Sequence, residues 1–386
     1  MANLKQFLMI PGPTQVPQEV SLAGSKGMIN HRSADFQKVF DKVIAGVKAC
    51  YKTKNDLFIF NSSGTGAMEA SVSNIVAPGD KILAVSIGNF GQRFQKIAKA
   101  YGAEVIPLDF EWGTAADPAE IKKVLDADTD KEIKAVILQQ NETSTGVFNN
   151  IKEISKVIKQ HGALIVVDAV SGLLAAELNV DEWGLDIVAS GSQKAFMVPP
   201  GLGIVSVSPK AWEVIKNTEN RHCFYFDLLT WKSFSEKGQT PWTPAISLFY
   251  EMEASLEMIK KEGLENILAR HIKLRNATRA AVKALGFGLF AKEYACASPA
   301  VTAVVPSDGI DVEELRSICR KKYGVTLAGG QAKLKGKIFR ISHLGYIDQL
   351  EIIASFAAIE MALKEMGRDV VLGSSVKAIQ ESLLGS

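Results

Sequence analysis

The stretch Trp183–Ser208, WGLDIVASGSQKAFMVPPGLGIVSVS, contains the pattern from which the fold is inferred. Its apolar run Leu185–Ala189 is bounded by small residues, which is typical of a buried strand. A turn of serine and glycine follows, then Lys194, and then two prolines and two glycines before a second apolar run. We therefore expect Lys194 to lie in a turn just beyond the end of one strand.

Lys194 has two interpretations from this stretch alone. Lysine is rarely buried, and a partly desolvated amine loses its proton more easily and can then form an imine with an aldehyde. The alternative is an ordinary loop lysine in solvent. The stretch by itself leaves both interpretations open.

The composition argues against several classes of protein. At 386 residues the chain is long enough for two domains, and its net charge of only +2 gives no reason to expect nucleic acid or a membrane as partner. The four cysteines are widely spaced, without a CxxC pair and without the cysteine and histidine spacing of a zinc-type cluster, so we expect free thiols and no metal. The apolar stretch at the N-terminus is too short for a signal peptide, and no run of 18 apolar residues occurs. These features predict a soluble, cytoplasmic protein.

The order of patterns along the chain predicts an N-terminal arm at 1–20, a large domain at 21–262 and a small α+β domain at 263–386. In the large domain, apolar runs alternate with segments long enough for helices, which favours an α/β fold with a mostly parallel, seven-stranded sheet covered on both faces. Ligands bind beyond the carboxyl ends of such strands, so we expect the polar residues there to converge in one crevice. The predicted strands are 57–60, 82–87, 104–108, 135–139, 163–167, 185–189 and 203–207.

The turn after the strand 57–60 reads NSSGTGAME, from Asn61 to Glu69, and leads into helix-forming residues. A strand, a turn of Gly, Ser and Thr, and then a helix is the layout that binds phosphate through free N–H groups and hydroxyls. It matches neither common nucleotide loop, and many such turns carry these residues merely to reverse the chain. Phosphate binding and a plain turn both remain open.

Three further residues have a functional and a structural interpretation. Asp168 ends ALIVVDAV, where a carboxylate must find a partner: either a backbone turn or a protonated ring nitrogen. Phe90 lies between residues that suit a turn, so its ring would either stack on a flat ligand or make a minor core contact. Arg340, inside the apolar run KIFRISHLG, would either face outward or clamp a carboxylate.

Nine motifs together resemble one family, the class V aminotransferases of pyridoxal-phosphate (PLP) fold type I, and within it the alanine–glyoxylate/serine–pyruvate group. The resemblance spans nearly the whole chain. In chain order the motifs are PGPTQVP, HRSADF, SSGTGAMEA, GNFGQR, NETSTGV, VVDAVSG, SGSQKAFMVPPGLG, TPWTPAISL and GKIFRISHLG.

For the cofactor, the resemblance implies that Lys194 forms the Schiff base with pyridoxal 5'-phosphate and later carries a proton. It implies that Asp168 keeps the pyridine nitrogen protonated. The phosphate would be bound by Thr65, Gly66 and Ala67 with help from Gln193.

For the rest of the site, the resemblance implies that Phe90 stacks on the cofactor ring and that Thr143 bonds to its phenolic side. Arg340 would hold the substrate α-carboxylate, and Gly12 would line the substrate entrance. The stacking residue is often tryptophan in this group, whereas Phe90 keeps an aromatic face but lacks the indole N–H.

The resemblance also implies a homodimer with shared active sites, because Thr240 and Thr243 match positions that reach the phosphate of the neighbouring subunit's cofactor. Some relatives have a hydroxyl-bearing aromatic residue where this chain has Thr240. This change, like that at Phe90, bears on cofactor affinity rather than on the reaction class.

The leading hypothesis is ping-pong transamination from alanine or serine to glyoxylate or pyruvate. A single carboxylate clamp, without an obvious second arginine, favours small donors over aspartate, although Arg32 could approach the site. A cysteine desulfurase is disfavoured because relatives of that kind usually carry histidine where Gln193 stands, and because Cys319 falls in a predicted helix. A non-catalytic subunit is disfavoured by the presence of both Lys194 and Asp168.

Overall fold

The computed structural model describes residues 5–385, so the first four residues of the predicted arm and Ser386 lie outside the described part. The strands are β1 (Phe7–Met9), β2 (Asp56–Asn61), β3 (Lys81–Ser86), β4 (Glu104–Asp109), β5 (Ile133–Gln139), β6 (Asn141–Glu142), β7 (Val147–Phe148), β8 (Leu164–Asp168), β9 (Ile187–Gly191), β10 (Leu202–Val207), β11 (Gly288–Leu289), β12 (Val301–Val305), β13 (Val325–Gly329) and β14 (Phe339–Ser342). The helices are α1 (Gln18–Ala23), α2 (Ala34–Tyr51), α3 (Gly64–Ser73), α4 (Asn89–Ala100), α5 (Pro118–Ala127), α6 (Ile151–His161), α7 (Val180–Trp183), α8 (Pro209–Asn217), α9 (Leu228–Ser235), α10 (Ile246–Glu262), α11 (Leu264–Ala284), α12 (Val312–Tyr323), α13 (Gln349–Glu365) and α14 (Ser374–Leu384).

The larger sheet has seven strands in the order β2-β10-β9-β8-β5-β3-β4, and β10 runs antiparallel to both of its neighbours. The pairs β3–β4, β3–β5, β5–β8 and β8–β9 are parallel. This confirms the predicted α/β fold with a mostly parallel, seven-stranded sheet.

Both faces of this sheet are buried, because alternate residues of each strand enter different cores. In β8, Ile165 and Val167 join one apolar cluster while Leu164 and Val166 join another. Successive side chains of a strand point to opposite faces, so a strand that is apolar throughout needs helices on both sides. That is why these runs are continuously apolar rather than alternating.

The sequence marks the ends of two helices, α2 and α6. The helix α2 begins after Ser33, whose side chain accepts the N–H of Phe36. The helix α6 begins after Asn150, which accepts the N–H of Glu153, and ends at Gly162 in the left-handed conformation. Side-chain caps at the start and glycine at the end are strong boundary signals.

The second sheet has the order β1-β13-β14-β12-β11, so a strand from the N-terminal arm completes a sheet of the C-terminal part. Gly263, with φ +84°, lies between α10 and α11. We propose that the boundary between the two domains falls at this glycine. None of the helices between residues 5 and 385 combines the length and apolar character that crossing a bilayer requires.

Candidate active site

One cavity lies beyond the carboxyl ends of the large sheet and is lined from five strands. It collects the side chains that follow β2, β3, β5, β8 and β9, as expected for ligand sites of open parallel sheets. Six residues singled out in the sequence line it, namely Thr65, Phe90, Thr143, Asp168, Gln193 and Lys194.

Lys194 lies in the turn after β9, and its amine faces this cavity. Its Nζ donates a hydrogen bond to the carbonyl oxygen of Pro11 at 2.5 Å, and Thr14 holds the lysine backbone by donating to its carbonyl oxygen at 2.8 Å. Burial lowers the pKa of Lys194 from 10.5 to about 8; the positive charge of Arg340 adds to this shift, and the Asp168 carboxylate opposes it. Lys194 is half-buried and hydrogen-bonded rather than free in solvent, which favours the functional interpretation over an ordinary loop lysine.

Asp168 is the last residue of β8 and is only 4 % exposed. Its Oδ1 accepts the N–H of Val170 at 2.9 Å, so the turn-capping bond that the sequence allowed is present. Burial raises the pKa of Asp168 to about 7, the N–H of Val170 opposes this, and the nearby Glu142 adds to it. The same side chain also lines the cavity, so capping a turn and facing a ligand are compatible.

The N-terminus of α3 forms another wall of the cavity. Ser63 caps this helix by accepting the N–H of Gly66 at 3.4 Å, and the N–H of Ala67 donates to the carbonyl oxygen of Ser63. A Cβ atom on residue 66 would lie 1.9 Å from Oγ of Ser62, so any larger residue there would displace this hydroxyl. Gly66 and Ala67 are buried behind the lining, and it is the side chain of Thr65 that reaches the cavity.

Phe90 begins a helix rather than lying in a turn, because α4 starts at Asn89. The guanidinium of Arg93, three residues further on, lies 4.6 Å from the centre of its ring. Arg93 Nη1 also donates to Oγ1 of Thr65 at 3.0 Å. Arg93 lines the cavity and was not identified from the sequence, although it belongs to the motif GNFGQR.

Thr143 and Arg340 connect the two sheets at the site. The hydroxyl of Thr143 donates to Oγ of Ser171 at 2.7 Å. Arg340, on β14, is 4 % exposed, and it donates from Nη1 to the carbonyl oxygen of Thr143 and from Nε to that of Gly329, both at 2.9 Å. The outward-facing interpretation of Arg340 is therefore wrong, because the strand turns this side chain towards the large domain.

Arg340 is not among the residues that line the cavity, and the remaining predicted residues also lie outside the cavity of their own chain. Thr240 is fully buried and bonds to the carbonyl oxygen of Trp242, whereas Thr243 is exposed. Arg32 donates to the carbonyl oxygens of Thr240 and Pro241, so it fixes this loop rather than lining the cavity. Gly12 packs directly against the side chain of Lys194.

The comparison with protein families agrees with this arrangement. Residues 6–352 match the family model "Aminotransferase class-V", so the chain belongs to the class V aminotransferase family and is a transaminase. The resemblance inferred from the nine motifs is thereby confirmed.

The chain is similar to several known proteins over nearly its whole length. It is 47 % identical to the soluble hydrogenase small subunit of Synechococcus sp. (strain PCC 6716), covering 94 % of each chain. It is 38 % identical to the serine–glyoxylate aminotransferase of Hyphomicrobium methylovorum, covering 97 % of this chain and 93 % of the relative. Among solved structures, the ureidoglycine–glyoxylate aminotransferase of Bacillus subtilis matches with a TM-score of 0.92 at 28 % identity, covering 99 % of each chain.

Proposed function

We propose that the protein uses pyridoxal 5'-phosphate to transfer the amino group of serine or alanine to glyoxylate or pyruvate. The observation that carries this proposal is the placement of Lys194 and Asp168 in one cavity with the N-terminus of α3. An amine of lowered pKa and a buried carboxylate are the two groups that this chemistry needs at opposite ends of a pyridine ring. The similarity to a serine–glyoxylate aminotransferase supports the choice of substrates.

The donors and acceptors around the cavity fit this cofactor. The N-terminus of α3, the hydroxyl of Thr65 and the cation of Arg93 suit a phosphate group. The ring of Phe90 suits a flat heterocycle, and Oε1 of Gln193 is a buried polar atom without a partner among residues 5–385. When bound, the cofactor supplies an electron sink for the α-carbon of the substrate.

The residues of the chain have separate tasks in this proposal. Lys194 holds and moves a proton at Nζ, for which a pKa of about 8 is well placed. Asp168 keeps a ring nitrogen protonated through its carboxylate. Arg340 binds the substrate carboxylate, with its guanidinium already oriented by the carbonyl oxygens of Gly329 and Thr143.

The preference for small donors needs one correction. The sequence offered no obvious second arginine, yet Arg93 lines the cavity. Its guanidinium is committed to Phe90 and Thr65, which leaves serine and alanine as the preferred donors. Aspartate remains the alternative donor, because a substrate that displaced these contacts would find a second cation.

A single half-reaction tests the proposal. The purified protein is mixed, without any oxo acid, with serine, alanine, aspartate or cysteine, and the visible absorbance of the bound cofactor is followed. We expect bleaching with serine or alanine in the wild type and none in Lys194→Ala. A response to aspartate alone would overturn the substrate choice, and a wild type without a visible band would overturn the cofactor.

Cysteine serves as the arm for the desulfurase alternative. Release of sulfide would favour that reaction, which needs a reactive thiolate. Cys319 is fully buried in α12, and burial raises its pKa to about 12, so it is a poor nucleophile.

A role as a subunit of a larger assembly is the second candidate, favoured by the 47 % identity to a protein named as a hydrogenase subunit. The two roles are separable, because Lys194→Ala would abolish transamination and leave an assembly role intact. Hydrogen uptake by whole cells of a deletion strain, complemented with wild type or with Lys194→Ala, would distinguish them. Restoration by the variant would favour the assembly role.

We also propose that the working unit is a homodimer. Thr243 is exposed in its own chain and lies outside its own cavity, which suits a residue that serves the neighbouring site. The cytoplasmic location expected from the sequence stays a prediction.

A further inference from the structure

The helix α4, which carries Phe90 and Arg93, has no side-chain cap of its own. The residue before it is Gly88, which has no side chain to accept a hydrogen bond from the helix. The first N–H groups of any helix lack partners within the helix and must be satisfied from elsewhere when they are buried. In α4 these are the N–H groups of Asn89, Phe90 and Gly91.

Glu142 satisfies two of these groups from β6, more than fifty residues further along the chain. Its Oε2 accepts the N–H of Phe90 at 3.0 Å and that of Gly91 at 3.1 Å. Its Oε1 accepts the N–H of Ser144 at 3.0 Å and the hydroxyl of Ser144 at 2.6 Å. The same hydroxyl oxygen accepts the N–H of Asn89 at 3.0 Å.

The packing around this carboxylate is close enough to determine its neighbour. Glu142 is fully buried, and a Cβ atom on residue 88 would lie 2.4 Å from its Cγ. Gly88 has φ 169°, an extended conformation that any residue adopts. Glycine is therefore favoured at 88 by the space that Glu142 occupies, together with Oγ of Ser144 at 2.7 Å from the same Cβ, and not by the backbone.

The contacts made by α4 lead directly into the cavity. The ring of Phe90 and the guanidinium of Arg93 stack on each other there, and Arg93 continues to the hydroxyl of Thr65 on α3. A helix start that shifted by a fraction of an ångström would move both side chains. We propose that Glu142 is a positioning residue of this site, which caps α4 from a distance and thereby holds Phe90 and Arg93 against the cofactor.

A matched control exists elsewhere in the chain. Glu360 on α13 is also buried and caps another helix, α14, by accepting the N–H groups of Gly373 at 2.6 Å and Ser375 at 2.7 Å. Its Oε1 also accepts the hydroxyl of Ser375 at 2.6 Å. Glu360 thus repeats the bonding of Glu142 in a part of the protein that contributes nothing to the cavity.

The inference rests on the proposed cofactor, so the test measures cofactor binding rather than turnover. Holoenzyme is purified, the dissociation constant of pyridoxal 5'-phosphate is determined by absorbance after removal and return, and visible circular dichroism reports how the bound ring is held. For Glu142→Ala we expect the dissociation constant to rise at least about tenfold, because the two N–H groups of α4 that Glu142 accepts, those of Phe90 and Gly91, lose their acceptor. For Glu360→Ala we expect a lower melting temperature and an unchanged dissociation constant.

A double variant separates capping from other roles of the carboxylate. Gly88→Asp alone should clash with Glu142 and weaken cofactor binding. Combined with Glu142→Ala, the new aspartate occupies the vacated space and offers α4 an ordinary cap, so affinity and dichroism should recover. The pair also keeps the net charge of the wild type.

Three results would overturn the inference: wild-type affinity and dichroism in Glu142→Ala, an equal loss of affinity in Glu360→Ala, or no recovery in the double variant. If Glu142→Ala does not fold, Glu142→Gln, which keeps one acceptor oxygen, gives the same comparison. A wild type that binds no cofactor would instead sink the proposed function, and this inference with it.

Discussion

Gly12 and Lys194 lie so close together that a Cβ atom on residue 12 would stand 2.2 Å from Nζ of the lysine. The same segment provides the carbonyl oxygen of Pro11 that accepts the hydrogen bond from this amine. The N-terminal arm therefore packs directly against the lysine amine. Gly12 also has φ +136°, which side chains rarely adopt.

We expect Gly12→Ala to displace the lysine amine and to lower kcat/KM by at least about tenfold, since a misplaced reacting group costs that much or more. Gly79→Ala is the matched control, because Gly79 also has a positive φ, of +91°, and nothing lies within 4 Å of its added Cβ. The control should lose only stability, about 1 kcal/mol. Equal effects of the two variants on kcat/KM would contradict a specific contact with Lys194.

The pKa of Lys194 predicts how fast the cofactor-free enzyme reacts with the aldehyde group of added pyridoxal 5'-phosphate. Only the neutral amine reacts, and with a pKa of about 8 the rate should rise about tenfold per pH unit below 8 and level off above it. Stopped-flow absorbance from pH 6 to 10 measures this rate. Arg93→Gln removes a charge that lowers this pKa, so its midpoint should move to higher pH. A rate that still climbs through pH 10 would refute the shift.

The raised pKa of Asp168 predicts that the free energy of unfolding falls as the pH rises. In the unfolded chain this carboxyl titrates near 3.8 and in the folded cofactor-free protein at about 7, so between these values the folded state binds the extra proton. The stabilising contribution is present below 3.8 and is lost as the pH rises through 7, on the order of 4 kcal/mol in all. Asp168→Asn should escape this loss. Urea unfolding at pH 5 and pH 8 measures roughly two-thirds of this loss, the part between pH 5 and 7, and equal pH dependence in both proteins would contradict the prediction.

Arg340 is expected to set substrate affinity through its planar geometry. Lysine in its place keeps the charge but cannot reproduce the two bonds to the carbonyl oxygens of Gly329 and Thr143. We expect Arg340→Lys to raise KM for the amino donor by about tenfold or more, with little change in cofactor affinity. Arg316→Lys is the control, since Arg316 bonds to Leu327 on β13 outside the cavity. An unchanged KM in Arg340→Lys would remove it from the substrate site.

Shared active sites predict complementation between two inactive variants. Thr243→Asp places a negative charge where we expect the phosphate of the neighbouring subunit, and Lys194→Ala lacks the amine. Each should be inactive alone, whereas unfolding and refolding an equal mixture should give hybrid dimers with one intact site, for about a quarter of wild-type activity. Wild-type protein that is unfolded and refolded in the same way controls for activity lost during refolding. No recovery in the mixture would contradict a shared site.

The large sheet could be predicted because most of its strands are buried on both faces, the edge strand β4 being the exception. A strand such as β8 is apolar throughout, and this run is visible without knowledge of its neighbours. The strands β1 and β13 were missed for the opposite reason. They are short, and their pairing joins Phe7 to Val325, which no local pattern reveals.

Candidate site residues could be identified from the sequence where the residue type has few other uses at that position. They were missed where the role depends on a contact with a residue that is distant in sequence. Lys194 and Asp168 stand at strand ends, where their chemistry is legible from the sequence. Arg93 was missed because its role depends on contacts with Phe90 and with the distant Thr65, which no local pattern reveals. Glu142 belongs to the motif NETSTGV, but its function as a cap depends on a helix that is distant in sequence.

The pairing of β1 with β13 has a consequence during synthesis. The ribosome makes Phe7 first and Val325 near the end, and Pro11 and Gly12 follow β1 directly. The carbonyl oxygen of Pro11, which accepts the hydrogen bond from Lys194, can therefore reach its final position only after residue 325 has left the exit tunnel. This holds however early the large sheet has folded. A nascent chain whose large domain has already folded still lacks the contact between the N-terminal arm and the amine of Lys194. We therefore expect activity to appear only when translation is nearly complete.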